Sequence, residues 1–563
     1  MQNYTPVSDK SEDKKVRFDK YIFGVAMLIC FHLIVNILWI KINQNPLDYD
    51  PIGHTFATIN SAEYIKNSFA NFSLKDYMKI SPGYPNFVET ATLPLVFIFG
   101  NHWKVIQFSG TLFFLLAILA TFLYVKEISQ RSKIAFYSAF FYSFFISIDQ
   151  YSRLQMLDIP LTAMIFLTLY LWEKFKNTKN LRYWYFSCLT LGFAQTSKWH
   201  AGIFLFVPLI FLVISLYKDH FFQDKKLFHF LFGLLISLLL VFPWYYYNFV
   251  DFIRLGKINY LGEPDDPKSF FSLTTALYYL KQIAIFQTHF IGFILLIVSF
   301  FIIPFRKKKY LLASVITVVF CYLFFSFLVP NKNIRVIFPL MPFFGLIMAE
   351  GLEQLKYWWG KILSWGVTFY VVIAFFILSF GFPWQPNFRY VVKLPLFEYV
   401  DLIYLNTYPI NLLPSRQRIN FEKIIDDIIL LQNNRPQPLK VLVAVHQPYF
   451  HDGILALEIY MREQNDLEKA YEILNDKLKI ISADNLLKNN GLINGYLNDF
   501  DIILTTEKNP IHLEEVLNPI YSPIKATQSY LFSSENESFI QSSSFSLPNN
   551  DKLSLFYNRR LLK

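Results

Sequence analysis

The sequence predicts an all-α polytopic membrane bundle followed by a soluble α/β domain, and three observations carry the prediction. The 563 residues are 54% hydrophobic and only 17% charged, with a mean hydropathy of +0.32, unlike a soluble chain of this length. Apolar runs of spanning length, about 11 of them, recur as far as residue 381. After Phe380 the composition turns polar, and short apolar strands alternate with amphipathic helices. The 62 Phe and 35 Tyr exclude disordered, collagenous and coiled-coil chains. Cys30, Cys188 and Cys321 each sit inside an apolar run, which excludes a disulfide framework and a thiolate zinc site.

Residues 1–20 form a basic segment, and the run Tyr21 to Ile40 behind it reads as a retained anchor, with no small-residue cleavage site following. Further spans are expected at 105–125, 134–148, 159–173, 183–197, 200–217, 228–248, 282–304, 310–329, 336–354 and 362–381, so that residues 21–381 make the membrane domain. Lys and Arg crowd the loops on the N-terminal side, among them Lys126, Arg131, Lys133, Lys174 and Arg182. That bias makes the N-terminus cytoplasmic and accounts for the net charge of +10 without nucleic acid. An odd number of spans then puts the rest of the chain outside.

The first outer loop, 42–103, contains the stretch Phe87 to Gly100, too short to span and carrying Glu89 and Pro94, which reads as a juxtamembrane helix. The second, 250–281, carries Gly262, Pro264, Asp265, Asp266 and Pro267 and reads as an exposed loop. Residues 382–437 read as a connector with an amphipathic helix, Phe421 to Leu431. In the soluble domain, 438–563, strands are expected at Lys440 to Val445, Leu478 to Ile481 and Phe500 to Thr505, with helices at Ile454 to Arg462 and His512 to Leu517. No dinucleotide or phosphate-loop glycine motif is present.

Ionisable groups gather at the outer helix ends, where charge is costly and signals function. Asp48 and Asp50 follow the first span, Asp158 opens the fourth, Lys198 and His200 join the fifth to the sixth, and Lys332 and Arg335 join the ninth to the tenth. Singly, each has a structural explanation: a helix cap for Asp158, a turn for Asp50, snorkelling for Lys198 and Arg335. Together they suit transfer of a sugar from a lipid phosphate, which needs cations for the departing phosphate and a carboxylate to take a hydroxyl proton.

The arrangement resembles the GT-C superfamily of lipid-sugar-dependent glycosyltransferases, particularly the protein O-mannosyltransferase and aminoarabinose transferase group. The resemblance rests on Asp50 after the first span, Asp158-Ile159-Pro160-Leu161, Gly192-Phe193-Ala194-Gln195-Thr196-Ser197-Lys198, and Lys332-Asn333-Ile334-Arg335 followed by Pro339 and Pro342. It implies that Asp50 is the catalytic base, that Asp158 is a second acid organising the site, and that Lys198, Arg335, Lys332 and Lys79 are phosphate contacts. Asp48, His54 and His200 are further candidates. The family's Asp-Glu pair is here Asp50-Pro51, and Val336 stands where its motif has tyrosine.

The implied activity is inverting transfer from a polyprenyl-phosphate sugar to a hydroxyl of a lipid, glycan or protein acceptor, at the outer face of a bacterial inner membrane. The implied partners are that donor, the acceptor and membrane lipid. No cofactor and no metal site are expected. A metal-dependent oligosaccharyltransferase-like enzyme, for which Asp48 and Asp50 would bind a divalent cation, ranks second. A lipid-sugar transporter would require inverted repeats and midplane charges, and neither is visible.

Overall fold

The computed structural model describes residues 19–46, 49–223, 226–261, 271–288, 290–305, 308, 310–355, 358–381, 391–394, 398–401, 413–432, 435, 437–445, 447, 449–463, 469–470, 472–483, 497–508, 522–534, 536–548 and 551–562. Asp48 and the expected helix His512 to Leu517 lie outside them.

The membrane part is a helical bundle. It opens with α1 (Lys20–Ile42), capped by Asp19, whose carboxylate accepts the Tyr21 N–H at 3.0 Å. The first outer loop holds three helices rather than one: α2 (Tyr49–Ser68), α3 (Leu74–Met78) and α4 (Phe87–Phe99). The bundle continues with α5 (Trp103–Ser129), α6 (Ser132–Phe144), α7 (Ile146–Tyr151), α8 (Asp158–Thr178), α9 (Leu181–Ser197), α10 (Ala201–Lys218) and α11 (Lys226–Tyr247). It closes with α12 (Phe249–Leu261), α13 (Leu273–Gln282), α14 (Phe290–Ile302), α15 (Tyr310–Phe327), α16 (Met341–Gln354) and α17 (Trp358–Phe380).

The described part of every expected span is mainly helical, and seven helices among the described residues are long and apolar enough to cross a membrane. The other spans are shorter, as α6, α9 and α14 are, or more polar, as α8 is. Some spans are also broken. Phe145 turns extended between α6 and α7, a π-helical turn (Ile283–Gln287) precedes α14, and a 3-10 turn (Ile334–Leu340) precedes α16. The second outer loop is a correction, since α12 and α13 occupy most of its described part. Their apolar residues recur at helical spacing, and the turn residues fall at 262–270, outside the described residues.

In α8, buried on nearly every face between α5 and α9, the first residue is Asp158. The loop that delivers it, residues 152–157, is bonded on several sides. Asn36 of α1 donates to Ser152 Oγ at 2.9 Å, Thr111 of α5 to the Ser152 carbonyl at 3.2 Å, and the Gln107 amide to the Arg153 carbonyl. A Cβ on Gly110 would collide with the Leu154 carbonyl, so only glycine lets α5 come this close. The fully buried Arg153 guanidinium donates to Asp149 (2.6 Å), Asn36 Oδ1 (3.0 Å) and Ser379 Oγ (2.7 Å), tying α1, α7 and α17 together beneath the loop.

Beyond the bundle, β1 (Val391–Leu394) pairs antiparallel with β2 (Glu398–Asp401), and α18 (Phe421–Gln432) leads into the soluble domain. There β3 (Leu439–Ala444), β4 (Leu478–Ser482), β5 (Ile502–Thr506), β6 (Phe539–Ser546) and β7 (Lys552–Asn558) form one sheet in the order β4-β3-β5-β7-β6. The pairs β3–β4 and β3–β5 are parallel, with Val441 opposite both Ile480 and Ile502, and β5–β7 and β7–β6 are antiparallel. Helices α19 (Asp452–Arg462) and α20 (Ser522–Leu531) complete this layer, and β5 is buried along its whole length.

Arg153→Met leaves the Asp149 carboxylate buried without its cation, and should lower unfolding stability by about 3 kcal/mol. The double variant Asp149→Asn/Arg153→Met should recover most of that loss, as read from unfolding midpoints in detergent.

Candidate active site

Four charged side chains form two ion pairs at helix ends. Asp50 stands in the first turn of α2, where the helix dipole favours a carboxylate and Pro51 has no N–H to satisfy. Its Oδ2 meets the Arg335 guanidinium at 2.6 Å. Arg335 is itself aimed. Its backbone N–H and Nε both donate to Asn333 Oδ1, at 3.0 and 3.1 Å, its guanidinium lies 5.9 Å from the Tyr151 ring centre, and Met156 Sδ is 3.8 Å from one terminal nitrogen.

The second pair is deeper. Lys198 caps the C-terminus of α9, and its ammonium donates to Asp158 Oδ1 at 2.7 Å, where Asp158 is 1% exposed. Asp158 is not a helix cap, because Leu157 holds the cap position and the aspartate's other oxygen, also buried, has no hydrogen-bond partner among the described residues. The pairs belong to one electrostatic cluster, since Asp50 also feels Lys198 and Asp158 also feels Arg335.

Burial opposes ionisation of Asp50, but the Arg335 guanidinium, aided by His54 and Lys198, holds the carboxyl below the ordinary aspartate range. More than half of the Asp50 side chain stays open, at 54% exposure, so a substrate hydroxyl can reach it. Tyr84, on the loop before α4, borders the cluster. Burial and then the negative charge of Asp50 push its phenol up to about 12. Its ring packs on Trp199 (5.8 Å) and on His54 (5.7 Å).

His54, one helical turn after Asp50, bonds through Nδ1 to Glu89 Oε1 of α4 at 2.9 Å, and Glu89 is fully buried. At the start of α10, burial and then the Lys198 charge push the His200 imidazole down to about 3, so it is neutral and adds no cation. Two expected phosphate contacts stand apart. The Lys332 ammonium donates to the carbonyls of Phe325 (2.8 Å), Ser326 (2.7 Å) and Val329, so it caps the end of α15 and steadies the turn carrying Asn333 and Arg335. Lys79 is the exposed C-cap of α3, and its ammonium makes no ion pair among the described residues. Tyr84 and Asn333 were not singled out from sequence. Asn333 stands inside a motif that was, between Lys332 and Arg335.

Residues 92–247 match the family model described as dolichyl-phosphate-mannose-protein mannosyltransferase. Among solved structures, ArnT from Cupriavidus metallidurans bound to undecaprenyl phosphate superposes at a TM-score of 0.53 and 13% identity, covering 94% of this chain and 97% of that one. The apo state of the same protein gives 0.53 and 13%, over 95% and 98%. The S. cerevisiae protein O-mannosyltransferase Pmt1-Pmt2 complex aligns at only 0.31 and 18%, over 46% and 36%, which carries no weight. No curated protein gives a significant match. The chain therefore has the fold of the ArnT structure, a GT-C fold, with a small C-terminal sheet, and residues 92–247 resemble the mannosyltransferase family.

Because the native Asp50 carboxyl is depressed, the pair with Arg335 is fully formed above the ordinary aspartate range and is lost as pH falls through the lower native value. Carbodiimide labelling of Asp50 should begin only at a pH below that of an ordinary aspartate. Arg335→Ala should move its onset upward.

Proposed function

We propose that this multi-pass membrane protein is an inverting glycosyltransferase that moves one sugar from a polyprenyl-phosphate donor to an acceptor hydroxyl at the outer membrane face. The observation that carries this reading is the pairing of an open, ionised carboxylate, Asp50, with a guanidinium, Arg335, beside a second cation, Lys198, in a GT-C fold. The ArnT neighbour is bound to undecaprenyl phosphate, which supports a polyprenyl phosphate here.

Before substrate arrives, each cation is neutralised by a carboxylate. A phosphate entering beside Arg335 competes with Asp50 for the guanidinium and frees the carboxylate to act as a base. The acceptor hydroxyl then attacks the anomeric carbon from the face opposite the phosphate. Its oxygen forms the new glycosidic bond, its proton passes to Asp50, and the bond from the anomeric carbon to the phosphate oxygen breaks with its electron pair on the phosphate. Arg335 and Lys198 balance the charge that develops on the leaving group. Asp158 holds Lys198 at the required depth, and Lys332 holds the Arg335 turn. The reaction as written needs no metal.

Purified protein in nanodiscs, given short-chain polyprenyl-phosphate sugars, should release free polyprenyl phosphate only when an acceptor is present, with EDTA having no effect. Asp50→Asn should abolish the release, and Arg335→Ala should lower it by about 10²-fold or more. Loss of activity with EDTA would favour a metal-bridged mechanism instead.

A further inference from the structure

We infer that the connector and the C-terminal domain together are a positioning element for Asp50, gripping the helix that carries it from the side opposite Arg335. The inference rests on the glycosyltransferase reading for its consequence and on geometry for the grip. Helix α2 is not among the helices long and apolar enough to cross a membrane, and it packs against α4 and α5. It follows a turn after α1, and its two faces meet different partners. Asp50, His54 and Thr58 face the bundle, where they meet Arg335, Glu89 and Gln155. Ile52, Phe56 and Ile59, spaced as one apolar stripe on the other side, face α19.

The apolar seam is close. A Cβ added to Gly453 would come within 3.5 Å of Ile52 Cγ2, the Phe56 ring meets the Tyr460 ring edge-on at 6.2 Å, and Ile59 and Ala62 share one buried cluster with Ile454 and Leu455.

A polar zipper ties Asn43 to Asn45, at the end of α1, to residues 415–419 of the connector. The Gln44 N–H donates to the Ser415 carbonyl at 2.7 Å, and the Ser415 N–H returns to Asn43 Oδ1 at 3.0 Å. The Asn45 amide nitrogen donates to Ser415 Oγ at 2.6 Å and to the Gln417 carbonyl at 2.8 Å, while its oxygen accepts the Ile419 N–H at 3.0 Å. Asn43 and Asn45 are fully buried. A buried asparagine with its donors and its acceptor all engaged by one segment fixes that segment's register, because any slip leaves polar atoms unpaired. The connector thus pins the end of α1 that leads to α2, and the domain covers the outer face of α2. A carboxylate that must exchange a guanidinium for a hydroxyl proton depends on such placement, since a shift of about 1 Å costs about 10²-fold in rate.

The test compares full-length wild type with Asn45→Ala, reading amide hydrogen exchange across residues 49–68 and transfer kinetics in the same nanodiscs. The expected result is about tenfold faster exchange in α2, with kcat lowered about tenfold or more and polyprenyl-phosphate affinity unchanged. If Asn45→Ala does not fold, Ser415→Ala, which removes one hydroxyl from the same zipper, serves in its place. Unchanged exchange in a folded variant would overturn the grip. Unchanged kcat with only a raised acceptor KM would overturn the positioning role and make the domain an acceptor-binding module. A wild type that transfers no sugar would refute the glycosyltransferase reading, while the exchange measurement would still decide whether the connector and the domain hold α2.

Discussion

A carboxylate at the rim of a membrane keeps its charge and its place only where a cation is held against it, and the pairs Asp50–Arg335 and Asp158–Lys198 impose that constraint on the rest of the molecule. Each pair joins the ends of different helices, so helices α2, α8 and α9 and the turn before α16 have to end at one level. The buried pair fixes the geometry, because neither Asp158 nor Lys198 can leave without stranding the other. The open pair can exchange partners, because Asp50 is exposed enough to meet a new one.

The supports follow from this division. Beneath Asp158, the Arg153–Asp149–Asn36–Ser379 network and the close approach at Gly110 keep the 152–157 loop from moving. Beneath Arg335, Asn333 aims the guanidinium and Lys332 ties the turn to the end of α15. Beside Asp50, His54 and Glu89 brace α2 on the bundle side. The outer surface of the same helix is covered by the C-terminal domain. The candidate site therefore draws on the bundle and the helices of residues 42–103, with the C-terminal domain packed behind α2.

Much of this could be read from the sequence. Asp50, Asp158, Lys198 and Arg335 stood out because each is a charge at the boundary between an apolar run and a polar turn, where membrane physics leaves few neutral reasons for it. Helix α2 was not readable, because its apolar stripe Ile52, Phe56 and Ile59 faces a domain almost 400 residues away and is diluted by polar residues on the other side. Lys332 and Arg335 looked alike as neighbouring cations, and only the fold shows that one bonds backbone carbonyls and the other a carboxylate. The antiparallel strands β6 and β7 were missed for a similar reason. The run Ser542-Ser543-Ser544 in β6 reads as a polar loop until β7 pairs with it.

In the proposed mechanism Arg335 holds Asp50 in the resting site and gives it up in exchange for the donor phosphate. The most direct test is the affinity of short-chain polyprenyl monophosphate for wild type, Arg335→Ala and Asp50→Asn in nanodiscs. Removing the guanidinium should weaken binding about tenfold or more. Removing the competing carboxylate should leave binding as tight as wild type or tighter. Weaker binding by Asp50→Asn, or undiminished binding by Arg335→Ala, would contradict the exchange.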